Sequence, residues 1–227
     1  MEAVSLVHVD VIFFDLDGTL IFHEPDSMDV IVRFCATIGQ PLTREQERVG
    51  RRVRHEYFVD PVIRDRIAGL STDEFWHHFN RHLLEAMGVE GDLDLLANRV
   101  TAQFDDVELT YHIPDEVWHT LDGLRSRGYP LGLLTNRQDV PRFHELLDTL
   151  DLRRHFDLTL SSGEVGQPKP HPAIFYAALN RLGATAGRCI YVGDNYWADV
   201  IGAVRAGLRP ILIDPLGLFP EAECVVL

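Results

Sequence analysis

The most constraining feature of this sequence is the rhythm that begins at Ile113-Pro114. A helical segment over about 114–127 stops at Gly128, and the apolar run PLGLLT (130–135) follows it. The alternation then repeats: helix 139–149, strand 157–160, helix 171–182, strand 188–192, helix 197–206 and strand 210–213. Short apolar strands separated by helices of this length build an open, mostly parallel sheet with helices on both faces. Val11-Ile12-Phe13-Phe14, β-branched and aromatic, ends in the acidic, glycine-containing turn Asp15–Thr19 and reads as one more buried parallel strand.

Between the first strand and that rhythm no convincing strand appears from about Phe22 to Asp106. Thr43-x-x-Gln46 and Ser71-x-x-Glu74 have capping-box spacing and mark helix starts. In 42–57, Leu42, Val49, Val53 and Tyr57 share one face, and Arg44, Arg48, Arg51 and His55 another. In 72–87, Phe75, Phe79, Leu83 and Met87 recur at helical spacing before Gly88, and Trp76 reads with Phe75 and Phe79 as interior. The expected fold is therefore α/β: a Rossmann-like open parallel sheet (1–20 and 107–227) with an inserted all-helical cap (21–106).

Charge narrows the function. A net charge of −14 over 227 residues argues against nucleic acid as a partner, because phosphate backbones need a basic footprint. An anionic substrate would need local cations or a bound metal. Cys35, Cys189 and Cys224 form no CxxC pair or disulfide framework, which suits reduced thiols. The start MEAVSLVHVD lacks a basic, then apolar, leader, and no apolar run reaches 18 residues, so the expectation is a cytoplasmic protein with no membrane partner.

Ligands of such sheets bind at the carboxyl ends of the strands. Asp15, Asp17 and Thr19 follow the first strand, and Thr135-Asn136 the second. Ser161-Ser162 and then Lys169 lie near the third, and Gly193-Asp194-Asn195 with Asp199 near the fourth. Lys169, in the turn GQPKPHP (166–172), is the sole lysine among 21 basic residues. Chance placement explains one lysine; so does a need for a compact three-donor ammonium where a forked guanidinium would not serve. Crowded carboxylates raise one another's pKa unless a cation joins them, and a hard, oxygen-seeking ion such as Mg²⁺ is the natural one. DxDG also opens calcium loops, but those need glycine at the sixth position, here Leu20.

The stretches DLDGT (15–19), LLTN (133–136), the lysine of QPKPHPAIF (167–175) and VGDNYWAD (192–199) resemble the four motifs of the haloacid dehalogenase superfamily. The resemblance covers the whole core, and the helical block stands where that superfamily carries its helical cap. It implies that Asp15 is a nucleophile that becomes an aspartyl-phosphate, and Asp17 the general acid and base. It implies a Mg²⁺ held by Asp15, Asp194 and the backbone carbonyl of Asp17, with Asp199, Asn195 and Thr19 in support. Thr135 and the backbone amide of Asn136 would hold phosphoryl oxygens, and Lys169 would bridge nucleophile and phosphate.

Within that superfamily the metal-free dehalogenases lack an acid two residues after the nucleophile, so Asp17 points to phosphoryl transfer. Phosphonate-cleaving relatives need a cap lysine, and 20–110 has none. The expectation is a Mg²⁺-dependent phosphatase acting on a small phosphorylated metabolite, as monomer or homodimer. A sugar phosphomutase, or a non-catalytic binding protein on the same fold, are the alternatives. Candidates for substrate choice are His23, Glu24, Arg48 and Arg51, although the arginines read more readily as a solvated helix surface. Arg137 is a candidate extra phosphoryl donor or a surface residue. His77 and His78 are adjacent and diverge on a helix, so they form no joint metal site.

Overall fold

The structure, a computed structural model, describes residues 8–57, 60, 62–63, 69–105, 107 and 110–227. The strands in chain order are β1 (Val11–Phe14), β2 (Phe22–Glu24), β3 (Thr110–His112), β4 (Leu131–Thr135), β5 (Leu158–Ser161), β6 (Cys189–Gly193), β7 (Arg209–Leu212) and β8 (Val225–Val226). The helices are α1 (Ser27–Thr37), α2 (Arg44–Tyr57), α3 (Thr72–Ala86), α4 (Leu93–Asp105), α5 (Asp115–Ser126), α6 (Val140–Thr149), α7 (Ser162–Val165) and α8 (Ala173–Leu182). A π-helical stretch, Tyr196–Ile201, runs into α9 (Gly202–Arg205).

The chain divides into two compact units. The first comprises the residues up to Ile21, Ile113–Pro215 and Glu221–Leu227. Its six strands run parallel in the order β5-β4-β1-β6-β7-β8. All four residues of β1 are buried, as expected of a central strand whose apolar run shows no alternation. On one side Phe14 lies opposite Leu133 of β4, and on the other opposite Val192 of β6. Phe13, Leu134, Leu160, Phe175, Ala178 and Tyr191 join in a core between sheet and helices. Each fully buried large apolar side chain there contributes about 1.5–3 kcal/mol. The chain moves outward from β1 in both directions, so the carboxyl ends of β4, β1 and β6 meet at the point where strand order reverses. That is the usual ligand crevice of open α/β sheets.

The second unit comprises Phe22–His112 and Leu216–Pro220. Its core gathers Met28, Phe34, Tyr57, Phe79, Leu83, Met87 and Val100 from α1, α2, α3 and α4 and the turn after α3. Ser71 caps α3 in a reciprocal box with Glu74, and Thr43 and Gln46 exchange the matching bonds at the start of α2. Phe79 is buried, whereas Trp76, packed edge-on against it, is 43% exposed and not interior as expected. A further piece comes from near the C-terminus. Arg48 of α2 donates to the carbonyls of Leu216 (2.6 Å) and Gly217 (2.6 Å), and Arg52 to that of Leu218 (3.1 Å). The Arg52 guanidinium also lies 5.3 Å from the ring centre of Phe219.

Two departures from the sequence reading are physical in origin. β2 and β3 pair antiparallel, Phe22 opposite His112 and Glu24 opposite Thr110, at the two ends of the insertion. Three residues each are too few for a period-two pattern to show. The expected boundary at residue 106 lies outside the described residues, and the division between units falls at His112.

Candidate active site

The carboxyl edge of the sheet carries a buried network around Lys169. Its ammonium donates to Asp15 Oδ1 (2.6 Å), Asp199 Oδ1 (2.7 Å) and the Tyr191 hydroxyl oxygen (2.8 Å). The Leu134 carbonyl stands 3.2 Å away, and the Tyr191 hydroxyl, itself a donor, reaches it at 3.1 Å. Three N–H donors thus meet three good acceptors. Lys169 is 3% exposed, Asp199 1% and Asp15 7%. Burial alone would lower the lysine's pKa, but Asp15 and Asp199 outweigh it, so the group stays an ammonium, held above its ordinary value.

Asp15 follows the last residue of β1, and its N–H donates to the Val192 carbonyl of β6, which fixes its backbone between the two strands. Burial, then the neighbouring Asp199 and Asp194 carboxylates, push its pKa well above the carboxylate range against the pull of Lys169. Asp15, Asp194 and Asp199 each offer an oxygen within 4.8 Å of the others. With all three ionised, the carboxylates exceed the one ammonium by two negative charges, the charge of one divalent cation, whose presence would offset the repulsion that raises Asp15. A set of carboxylate oxygens is also the donor chemistry that Mg²⁺ prefers, so the residues present fit that ion. Asp199 is the most committed of the three: Oδ1 accepts from Lys169 and Tyr191, and Oδ2 from the Asn195 amide at 2.9 Å. Asp194 Oδ1 accepts from the Thr19 hydroxyl at 3.2 Å.

Two glycines make the crowding possible. Gly18 has φ +83°, and a β-carbon there would sit 2.5 Å from Asp194 Oδ2. A β-carbon on Gly193 would overlap the Asp199 carboxylate. Asn195 caps the π-helical stretch, its side-chain oxygen accepting from the amides of Trp197 (3.1 Å) and Ala198 (2.9 Å). Asn136, after β4, clasps the main chain of Lys169: Oδ1 accepts from its N–H (2.7 Å) and Nδ2 donates to its carbonyl (3.0 Å). Thr135, the last residue of β4, is buried at 1% exposure.

Asp17 stands apart from the acidic cluster. Its carboxylate takes both arms of Arg137, Nε to Oδ2 at 2.9 Å and Nη2 to Oδ1 at 2.6 Å. Of the expected metal ligands, the side chains of Asp15 and Asp194 lie together; Asp17, expected to contribute its backbone carbonyl, turns its side chain to Arg137.

The remaining candidates belong to the helical unit. His23 and Glu24 lie on β2, where the His23 ring packs 4.5 Å from that of Tyr111. Arg48 is held by the carbonyls of 216 and 217. Arg51 bridges Asp26 (3.2 Å) and Asp29 (3.0 Å) at the start of α1. Both arginines are thus engaged by protein partners. His77 pairs with Asn98 and Asp94, and His78 with the Tyr57 hydroxyl, on different sides of α3. Sequence reading missed Tyr191, whose place within an apolar strand run hides a hydroxyl aimed at the network, and it left the partner of Arg137 open.

Sheet order and edge chemistry together define an open parallel α/β fold with a buried carboxylate clasped by a lysine at its carboxyl edge. Residues 9–207 match the haloacid dehalogenase-like hydrolases, and the chain belongs to that family. It is 30% identical over 215 residues to a ribulose-1,5-bisphosphate 5-phosphatase of Halopiger xanaduensis, covering 90% of this chain and 84% of that protein. It is 28% identical over 208 residues to a glyceraldehyde 3-phosphate phosphatase of Methanothermobacter thermautotrophicus, covering 89% and 84%. Among solved structures, a HAD family hydrolase from Deinococcus radiodurans R1 with bound phosphate and sodium shares the fold. Its TM-score is 0.61 at 21% identity, over 97% of this chain and 91% of that one. Among the described residues no helix is long and apolar enough to cross a membrane.

Proposed function

We propose that this enzyme, a phosphoric monoester hydrolase, cleaves small-molecule phosphate esters by transfer to Asp15 with Mg²⁺ as cofactor. The observation that carries the reading is the 2.6 Å contact of Lys169 with a buried Asp15 inside a three-carboxylate cluster. The relatives named above support the substrate class, being phosphatases of small phosphorylated compounds.

The chemistry follows from the residues. Asp15 attacks phosphorus, the bond from phosphorus to the ester oxygen breaks, and Asp17 gives its proton to the departing alkoxide. Water then attacks the phosphorus of the aspartyl-phosphate and passes a proton to Asp17, releasing phosphate and restoring Asp15. Lys169 opposes the protonation of Asp15 that burial favours and offsets charge on the phosphoryl oxygens, with Thr135 and the Asn136 amide as further donors. Asp15 and Asp194 side chains and the Asp17 carbonyl would hold Mg²⁺, which when bound supplies charge neutralisation for nucleophile and phosphoryl group. Asp199, anchoring Lys169, supports from behind.

The test is phosphate release from a panel of phosphate monoesters, with Mg²⁺ and with chelator. Wild type is expected to release phosphate only with Mg²⁺, and Asp15→Asn to fall to background. Turnover that survives Asp15→Asn, or is unaffected by chelator, overturns the mechanism. Isomerisation of a sugar phosphate without net phosphate release would instead identify a phosphomutase.

A further inference from the structure

We propose that Arg137 is the positioning residue for Asp17, an inference that rests on reading Asp17 as the acid and base. Asp17 sits in a turn just before a left-handed glycine, and its side chain is 40% exposed. A half-exposed aspartate in such a turn has several staggered rotamers open to it. The two-point fork of Arg137 selects one and fixes the plane of the carboxylate as well as its direction.

The arginine is itself anchored. Its carbonyl accepts from the Gly163 amide at 3.2 Å and from the Ser162 hydroxyl at 3.4 Å, both at the start of α7. Gln138 donates to the same Ser162 hydroxyl at 2.7 Å. The backbone behind the guanidinium is thereby tied to the end of β5, two strands from the nucleophile. Lysine has no planar fork and would leave the carboxylate plane unset. Arg137 thus acts through Asp17, and the phosphoryl group is left to Lys169, Thr135 and the Asn136 amide.

The consequence is confined to leaving groups that need a proton. An alkoxide departing from phosphorus requires the proton of Asp17, whereas p-nitrophenolate leaves without it. For Arg137→Ala and Arg137→Lys, kcat/KM on a primary alkyl phosphate is expected to fall about 10- to 100-fold, a share of what general acid catalysis supplies. On p-nitrophenyl phosphate kcat/KM of the same variants stays within about threefold of wild type, since it reports the first transfer, in which this leaving group asks no proton of Asp17. The inhibition constant of inorganic phosphate stays unchanged. Asp17→Asn loses at least as much on the alkyl ester, and adding Arg137→Ala to it costs nothing further there, as residues acting through one another are not additive.

Equal losses on both esters, a raised inhibition constant for phosphate, full activity of Arg137→Lys or an additive double variant would each overturn the proposal. Thermal melts verify folding, and if Arg137→Ala unfolds, Arg137→Lys and Arg137→Gln decide. Turnover surviving Asp15→Asn sinks the phosphatase reading itself. Dependence on Asp15 with a flat leaving-group profile sinks only this one.

Discussion

Lys169 shows how a single side chain follows from local geometry. Its three acceptors lie within 2.8 Å of one nitrogen, in a site where the residue is 3% exposed. A guanidinium is wider, and its donors diverge in a plane. Lys169→Arg, which keeps the charge, is therefore expected to lower kcat/KM by about a hundredfold or more, the scale of a lost preorganised donor; near-normal steady-state kinetics would contradict this. A second buried cation-former behaves differently. His155 packs 5.2 Å from the Trp118 ring, and its Nε2 meets no hydrogen-bond partner among the described residues. Burial holds its pKa below the ordinary 6.5, only partly opposed by Asp122. The unfolded chain thus takes up a proton more readily than the folded one, so this contribution is whole above pH 6.5 and shrinks as pH falls through it. Between pH 7.5 and 5 the Tm of wild type should drop more steeply than that of His155→Phe, and parallel curves would refute it.

Elements carry the site as rigid parts. Asn136 joins the end of β4 to the turn that bears Lys169 by a clasp on that residue's own peptide groups. Asn136→Ala leaves a part-buried N–H and carbonyl without these partners and should cost about 1–3 kcal/mol. The check is a urea titration: the midpoint falls with the m-value unchanged, and kcat falls with it because Lys169 is no longer held. Central strands were legible because buried parallel strands are written as apolar runs; β1, β4, β5, β6 and β7 lie within one or two residues of expectation. Gathering of Asp15, Lys169, Asp194 and Asp199 at one edge was legible for the same reason, each lying beyond the carboxyl end of a strand. What stayed hidden is short or geometric. β2, β3 and β8 have two or three residues, and the π-helical turn after Asn195 reads in sequence like an ordinary helix start. The fork between Asp17 and Arg137 spans 120 positions and leaves no local pattern.

On the scale of the whole molecule, the charge of −14 would make the proposed cation a matter of stability as well as of catalysis. If Mg²⁺ neutralises the cluster, a concentration one hundred times its Kd stabilises the folded state by about 2.7 kcal/mol. Tm should rise with Mg²⁺, fall with chelator, and lose most of that response in Asp194→Asn; a wild type indifferent to both would count against the metal set. The helical unit carries a different kind of consequence. Because Arg48 and Arg52 are occupied by carbonyls of 216–218, the unit is complete only when residues from near the C-terminus are counted with 22–112. It is therefore a two-piece module. A chimera that exchanges 22–112 alone for a relative's segment would transplant one face of that contact and leave the other behind. Swaps designed to transfer substrate preference should carry 216–220 along with the helices.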